Sequence, residues 1–168
     1  VSLISGVHDL LPNRVGGAVL QKNLETLGDI QYTQEEIDFA LELQRNNGKP
    51  EIGIDGKIRP LRETLDSPGG GSTDSGDVSY NVPVVSLAAT TAPKGVPWHS
   101  WSVVASSGMS IGHKGMLHAA KALGMTMVDI FKDSKLRENI KKEFDEKIGE
   151  YEYDPYLDPG PPPIDYVD

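Results

Sequence analysis

The sequence contains no cysteine. A disulfide framework and a thiolate metal site are therefore both excluded, and the absence fits a reducing compartment, so a cytoplasmic location is expected. Long apolar runs are missing too. The most apolar stretch, residues 116–131, is broken by Lys121 and Asp129, so no membrane association is expected, and no signal peptide is visible. Positive charge is scarce: 16 Lys and Arg stand against 25 Asp and Glu, for a net charge of −9 and no basic cluster, which excludes nucleic acid as a partner. An acidic small substrate is not excluded, because a site needs only a local positive charge and a metal ion supplies one.

What is present is enough for one domain with a real core, since the chain has 168 residues, of which 38% are hydrophobic. Its first residues, Val1-Ser2-Leu3-Ile4-Ser5, alternate as a half-buried strand does. A chain that opens inside a strand is expected to be a fragment of something longer.

Local signals then place the elements. Asn13 is positioned to cap a helix running to about Leu27, with Gly28 as its stop. Thr33 followed by Glu36 is a capping box that opens a second helix, ended by Asn47-Gly48. Residues 49–70 are turn-rich, with at most a short strand. Residues 82–89, interrupted by Pro83, read as a buried strand, and residues 100–105 as another. Ser110 caps a long helix over about 111–132, whose core face is expected to carry Met116, Leu117, Ala120, Leu123, Met127, Ile130 and Phe131. A last helix, about 135–148, has the narrow stripe Leu136, Ile140, Phe144 and Ile148, with Gly149 as its end. Residues 151–168 hold five acids, five prolines and no base, so regular structure is not expected there.

Three places carry potential chemistry. His99 lies in a loop between Trp98 and Trp101, after Gly95 and Pro97. Imidazole is a natural zinc ligand, and an aromatic surround excludes water; the competing reading is a loop histidine packed on tryptophan. The run Gly71-Ser72-Thr73-Asp74-Ser75-Gly76-Asp77 offers backbone amides and hydroxyls to an anion, with Asp74 and Asp77 bracing the loop or orienting a donor. A plain surface turn is its alternative, and the absence of Gly-x-x-x-x-Gly-Lys rules out a nucleotide phosphate loop. His113 and His118 stand five apart, off the i, i+4 spacing of a two-histidine metal site. Ser72, His99 and an Asp do not make a hydrolytic triad, since no Gly-x-Ser-x-Gly elbow is present.

Taken in order, the motifs resemble one family. Ser5-Gly6-Val7-His8-Asp9-Leu10-Leu11-Pro12-Asn13 comes first, then the run from Gly71 to Ser79. Gly95-Val96-Pro97-Trp98-His99-Ser100-Trp101 follows, then Ser110-Ile111-Gly112-His113-Lys114-Gly115-Met116-Leu117 with Ala119-Ala120-Lys121. Over about residues 1–149 this is similar to the C-terminal region of the aminobenzoyl-glutamate hydrolase B-type subunits. Those belong to the di-zinc aminoacylase and glutamate carboxypeptidase superfamily of amidohydrolases and metallopeptidases. The resemblance implies an α/β fold, the C-terminal part of a catalytic α/β sandwich with a remnant of an inserted lid domain. Residues 1–11 would end the lid and dimerisation domain, 12–149 belong to the catalytic domain, and 150–168 form the acidic, Pro-rich tail.

Further expectations rest on the same resemblance. His99 matches the family's last metal ligand, one of the set for two zinc ions, while Gly71, Ser72, Thr73 and Asp74 match the loop that positions substrate. The zinc pair would lower the pKa of a bridging water, with a general base and the remaining ligands lying upstream of this segment. The implied activity is cleavage of the amide bond of N-acyl or N-aroyl amino acids, p-aminobenzoyl-glutamate being the type. The implied partners are that small acyl-amino acid, the upstream half of the catalytic domain, and an oligomer formed through the lid. The alternative is a non-catalytic folded module, or an inactive fragment, with His99 merely structural.

Overall fold

The computed structural model describes residues 5–62, 72–157 and 160. Their regular structure is six helices: α1 (Arg14–Leu27), α2 (Gln34–Asn46), α3 (Ser75–Ser79), α4 (Trp101–Ser107), α5 (Ser110–Lys132) and α6 (Ser134–Ile148). The expected α/β sandwich is overturned. Among the described residues there is no strand, and β pairing is limited to one isolated parallel bridge between Pro12 and Val84. Residues 85–91 are without regular structure. A strand requires a ladder of partners, the described residues provide none here, and Pro83 removes one donor from the run. Residues 1–4, the expected first strand, lie outside the described residues.

The second expected strand is a helix for a different reason. Its β-branched residues Val103 and Val104 suggest a strand, but Ser102 and Ser106, four apart, are fully buried and define one helical face. Ser106 Oγ donates to the Ser102 carbonyl at 2.9 Å, so the hydroxyl stays satisfied inside the packing.

Two compact units emerge. The first comprises residues 1–17, 62–85 and 135–168, and the second 18–61 and 86–134. In the first, Asn13 caps α1 as its position suggests: its Oδ1 accepts from the Gly16 amide at 2.9 Å, and its Nδ2 donates to the Ile140 carbonyl at 2.9 Å. Glu143 of α6 completes the cap, accepting from the Arg14 and Val15 amides at 2.8 and 2.7 Å. A carboxylate there satisfies amides that the helix itself leaves open and complements the positive end of its dipole. Ile140 is buried, and Leu136, Phe144 and Ile148 are half-buried, so the narrow stripe of α6 is its packing face.

In the second unit, α2 opens on the complete Thr33–Glu36 capping box. Gln44 is fully enclosed, yet all its polar atoms are used: Nε2 donates to the Gly53 and Lys94 carbonyls, and Oε1 accepts from the Gly53 amide, each at 2.8 Å. Helix α5 turns an unexpected side inward. It buries Ile111, Gly112, Gly115, Ala122 and Thr126, while Met116, Leu117, Leu123 and Met127 of the anticipated core face are exposed. The reason is close approach. A Cβ at Gly115 would stand 2.3 Å from the Thr90 carbonyl oxygen, and one at Gly112 would stand 2.1 Å from that of Ser107. Only the small-residue face lets neighbouring backbone come this near.

Candidate functional site

His99 is held in a turn whose backbone is unusual. Gly95 has φ of 80°, and His99 itself has φ of 58°, the one positive value at a non-glycine position among the described residues. That conformation is uncommon for any side-chain-bearing residue, although His tolerates it better than most. Buried Val96 anchors the turn from below, and Ser100 Oγ donates to the Pro97 carbonyl at 2.6 Å across it. Ser100 is extended and precedes α4 directly. The result is an imidazole raised on a fixed loop and exposed to solvent. Trp98 and Trp101 are 71% and 58% exposed, so they do not form the low-dielectric enclosure that their flanking positions suggest.

The glycine loop lies in the other unit. Gly71 is outside the described residues; Ser72, Thr73 and Asp74 are exposed and lead into α3. Thr73 Oγ1 accepts from the Ser75 amide at 3.3 Å. Asp74 occupies the cap position of α3 without a side-chain capping bond.

Next to this loop His8 and Asp77, which belong to two separate sequence motifs, come together. His8 is buried, and its ring Nδ1 lies 2.8 Å from Asp77 Oδ1. Its Nε2 lies 2.8 Å from the Tyr151 hydroxyl. The Tyr156 ring stacks on it at 4.3 Å with planes 6° apart, and Tyr80 and Tyr153 pack at 5.1 and 5.3 Å. Asp77 also accepts from the His8 amide at 3.3 Å and from the Tyr153 hydroxyl at 3.2 Å. The hydrogen bond from the His8 ring, with smaller help from these other donors, holds the Asp77 carboxyl below the ordinary range despite a push from burial. An ionised carboxylate only accepts, so Nδ1 carries a proton and donates to Asp77, while the Tyr151 hydroxyl pairs with Nε2. In the sequence Asp77 reads as a brace for the loop; its partner, 69 residues away, is not legible there.

Elsewhere in the second unit, Lys114 Nζ donates to Glu36 Oε2 at 2.6 Å and to the Gln31 carbonyl at 2.9 Å, and lies 5.6 Å from the centre of the Tyr32 ring. Burial pushes the Glu36 carboxyl up, but Lys114, Ser110 and the Thr33 amide outweigh it and hold it down at about 2. His113 is exposed, and His118 is half-buried with Nε2 enclosed and unpartnered among the described residues.

A metal needs more than one of these groups. Among the described residues no three His, Asp or Glu side chains gather so as to hold an ion. Stable zinc sites use three or four protein ligands, so the described residues do not by themselves fit a resident zinc. No helix among them is long and apolar enough to cross a membrane.

Comparison with known proteins finds the B-type subunit of p-aminobenzoyl-glutamate hydrolase from Escherichia coli (strain K12), 34% identical over 157 residues. The match covers 79% of this chain and 33% of that relative, so the chain spans about a third of the relative's length. No family model and no solved structure matches the chain.

Proposed function

We propose that this chain is part of an amide hydrolase acting on N-acyl or N-aroyl amino acids of the p-aminobenzoyl-glutamate kind. The observation that carries the reading is the backbone of His99. A strained, positive φ at a solvent-exposed histidine persists only where its surroundings over-determine it, and such positions cluster at functional sites. The likeness to the Escherichia coli protein, over 79% of this chain, supports the same reading. We further propose that His99 supplies one ligand to a zinc centre whose other ligands, with the general base, come from elsewhere in the full protein. Ser72, Thr73 and Asp74, with Gly71, would contact the substrate through exposed hydroxyls and amides. Residues 1–11, 12–149 and 150–168 would remain three distinct stretches in that protein, and the relative's designation as a subunit suggests an oligomeric assembly.

The decisive experiment is His99→Ala in the full-length protein, with metal content and amide hydrolysis both measured. Loss of most turnover together with about one equivalent of metal per chain is expected, since truncating a ligand opens and weakens the site. Metal content and turnover both at wild-type levels would leave the chain a non-catalytic module with a structural histidine.

A further inference from the structure

We propose that His8 and Tyr151 are positioning residues that hold the loop Ser72-Thr73-Asp74 in place through Asp77. Three stretches far apart in sequence meet here: residues 6–9, the loop leading into α3, and the tyrosine-rich segment 151–157. The join between the first two leaves no slack. A Cβ at Gly76 would stand 1.8 Å from the His8 carbonyl oxygen, so the two backbones are in direct contact. Leu11 N donates to Ser79 Oγ at 2.9 Å and ties the same pair a second time. Segment 151–157 then fixes the histidine. Tyr151 occupies Nε2, Tyr156 covers the ring face, and Tyr153 shares the Asp77 oxygen that Nδ1 uses.

The consequence is directional. His8 acts on Asp77, and Asp77 anchors α3, whose cap residue Asp74 ends the loop Ser72-Thr73-Asp74. The Tyr151 hydroxyl fixes the ring orientation that Asp77 requires, as a hydrogen bond at one imidazole nitrogen fixes the proton on the other. The acidic stretch after α6 therefore has a structural task, which composition alone does not reveal. The substrate role of the loop rests on the proposed function; the bracing does not.

The test separates the two. Tyr151→Phe keeps the ring and removes one hydrogen bond, so hydrogen exchange at the Gly76, Val78 and Tyr80 amides should quicken about five-fold. His8→Ala should quicken it further, and His8→Asn, whose amide nitrogen can donate to Asp77 in place of Nδ1, should recover part of the protection. Amides of α2 should not change. In the full-length enzyme Tyr151→Phe should raise KM with kcat within about two-fold, as expected when a binding loop loosens without altered chemistry. Unchanged exchange in Tyr151→Phe overturns the proposal even if His8→Ala fails to fold. Faster exchange with unchanged KM upholds the brace and removes the loop from substrate binding, while leaving His99 and the hydrolase reading untouched.

Discussion

Single residues decide how closely this backbone packs, and glycines show it from both sides. Gly76 faces the His8 carbonyl with no room for a methyl group, so Gly76→Ala should cost about 3 kcal/mol, read as a lower urea midpoint. Gly124, within α5, has nothing within 4 Å of where its Cβ would be. There Gly124→Ala should add about 0.5–1 kcal/mol by restricting the unfolded chain and favouring the helix. Equal effects from the two substitutions would contradict the packing described. What is legible at this scale follows from range. Asn13 and the Thr33–Glu36 pair are readable because a cap engages amides two or three residues away. His8 is not, because its partners lie 69 and 143 residues along the chain and no local pattern encodes them.

Between elements, Lys114 of α5 pairs with Glu36 of α2 at 2.6 Å. Glu36 side-chain exposure is 6%, so removing its partner strands a charge away from water. Lys114→Met should cost about 3 kcal/mol for that reason. The pH dependence follows with a definite sign. Glu36 is held at about 2 in the fold against an ordinary value of 4.5, so its contribution is complete above 4.5 and is lost as pH falls toward 2. Glu143 acts in the same direction, since Lys147 and the Val15 and Arg14 amides outweigh the burial that pushes it up. Denaturation midpoints should therefore drop between pH 5 and pH 3, and Glu36→Gln should flatten that drop; an unaltered slope in the variant would remove Glu36 as a cause. The caps of α1 and α2 are readable at this scale, but that of α5 is not, since Ser110 is already helical and Met109 holds the cap position without a side-chain bond. Element type is not always readable either. For residues 101–107, β-branched content suggests a strand, but the buried pair Ser102 and Ser106 carries the helical period. A short apolar run does not distinguish the two, and packing does.

Across the second unit as a whole, apolar surface is distributed in a way that ordinary monomers avoid. Helix α5 has two apolar faces; its small-residue side is buried, while Met116, Leu117, Met127 and Val128 are between 48% and 59% exposed. Trp98, Trp101 and Val104 add further exposed apolar area in the same unit. The periodicity of α5 is plain in the sequence, but periodicity marks an apolar stripe and does not say which of two stripes a neighbour covers. A helix apolar on both sides is characteristic of an element surrounded by protein, and exposed apolar side chains along one helix favour association. The isolated chain should therefore self-associate, with a sedimentation coefficient that rises over a tenfold increase in concentration. Placing charge on the stripe, as Met116→Glu with Met127→Glu, should return it to monomer without loss of helical circular dichroism. Both positions are exposed, so the substitutions remove no core contact and leave the face that Gly112 and Gly115 pack. A wild-type chain that stays monomeric throughout would show that the stripe tolerates water, and the double variant would then have nothing to reverse.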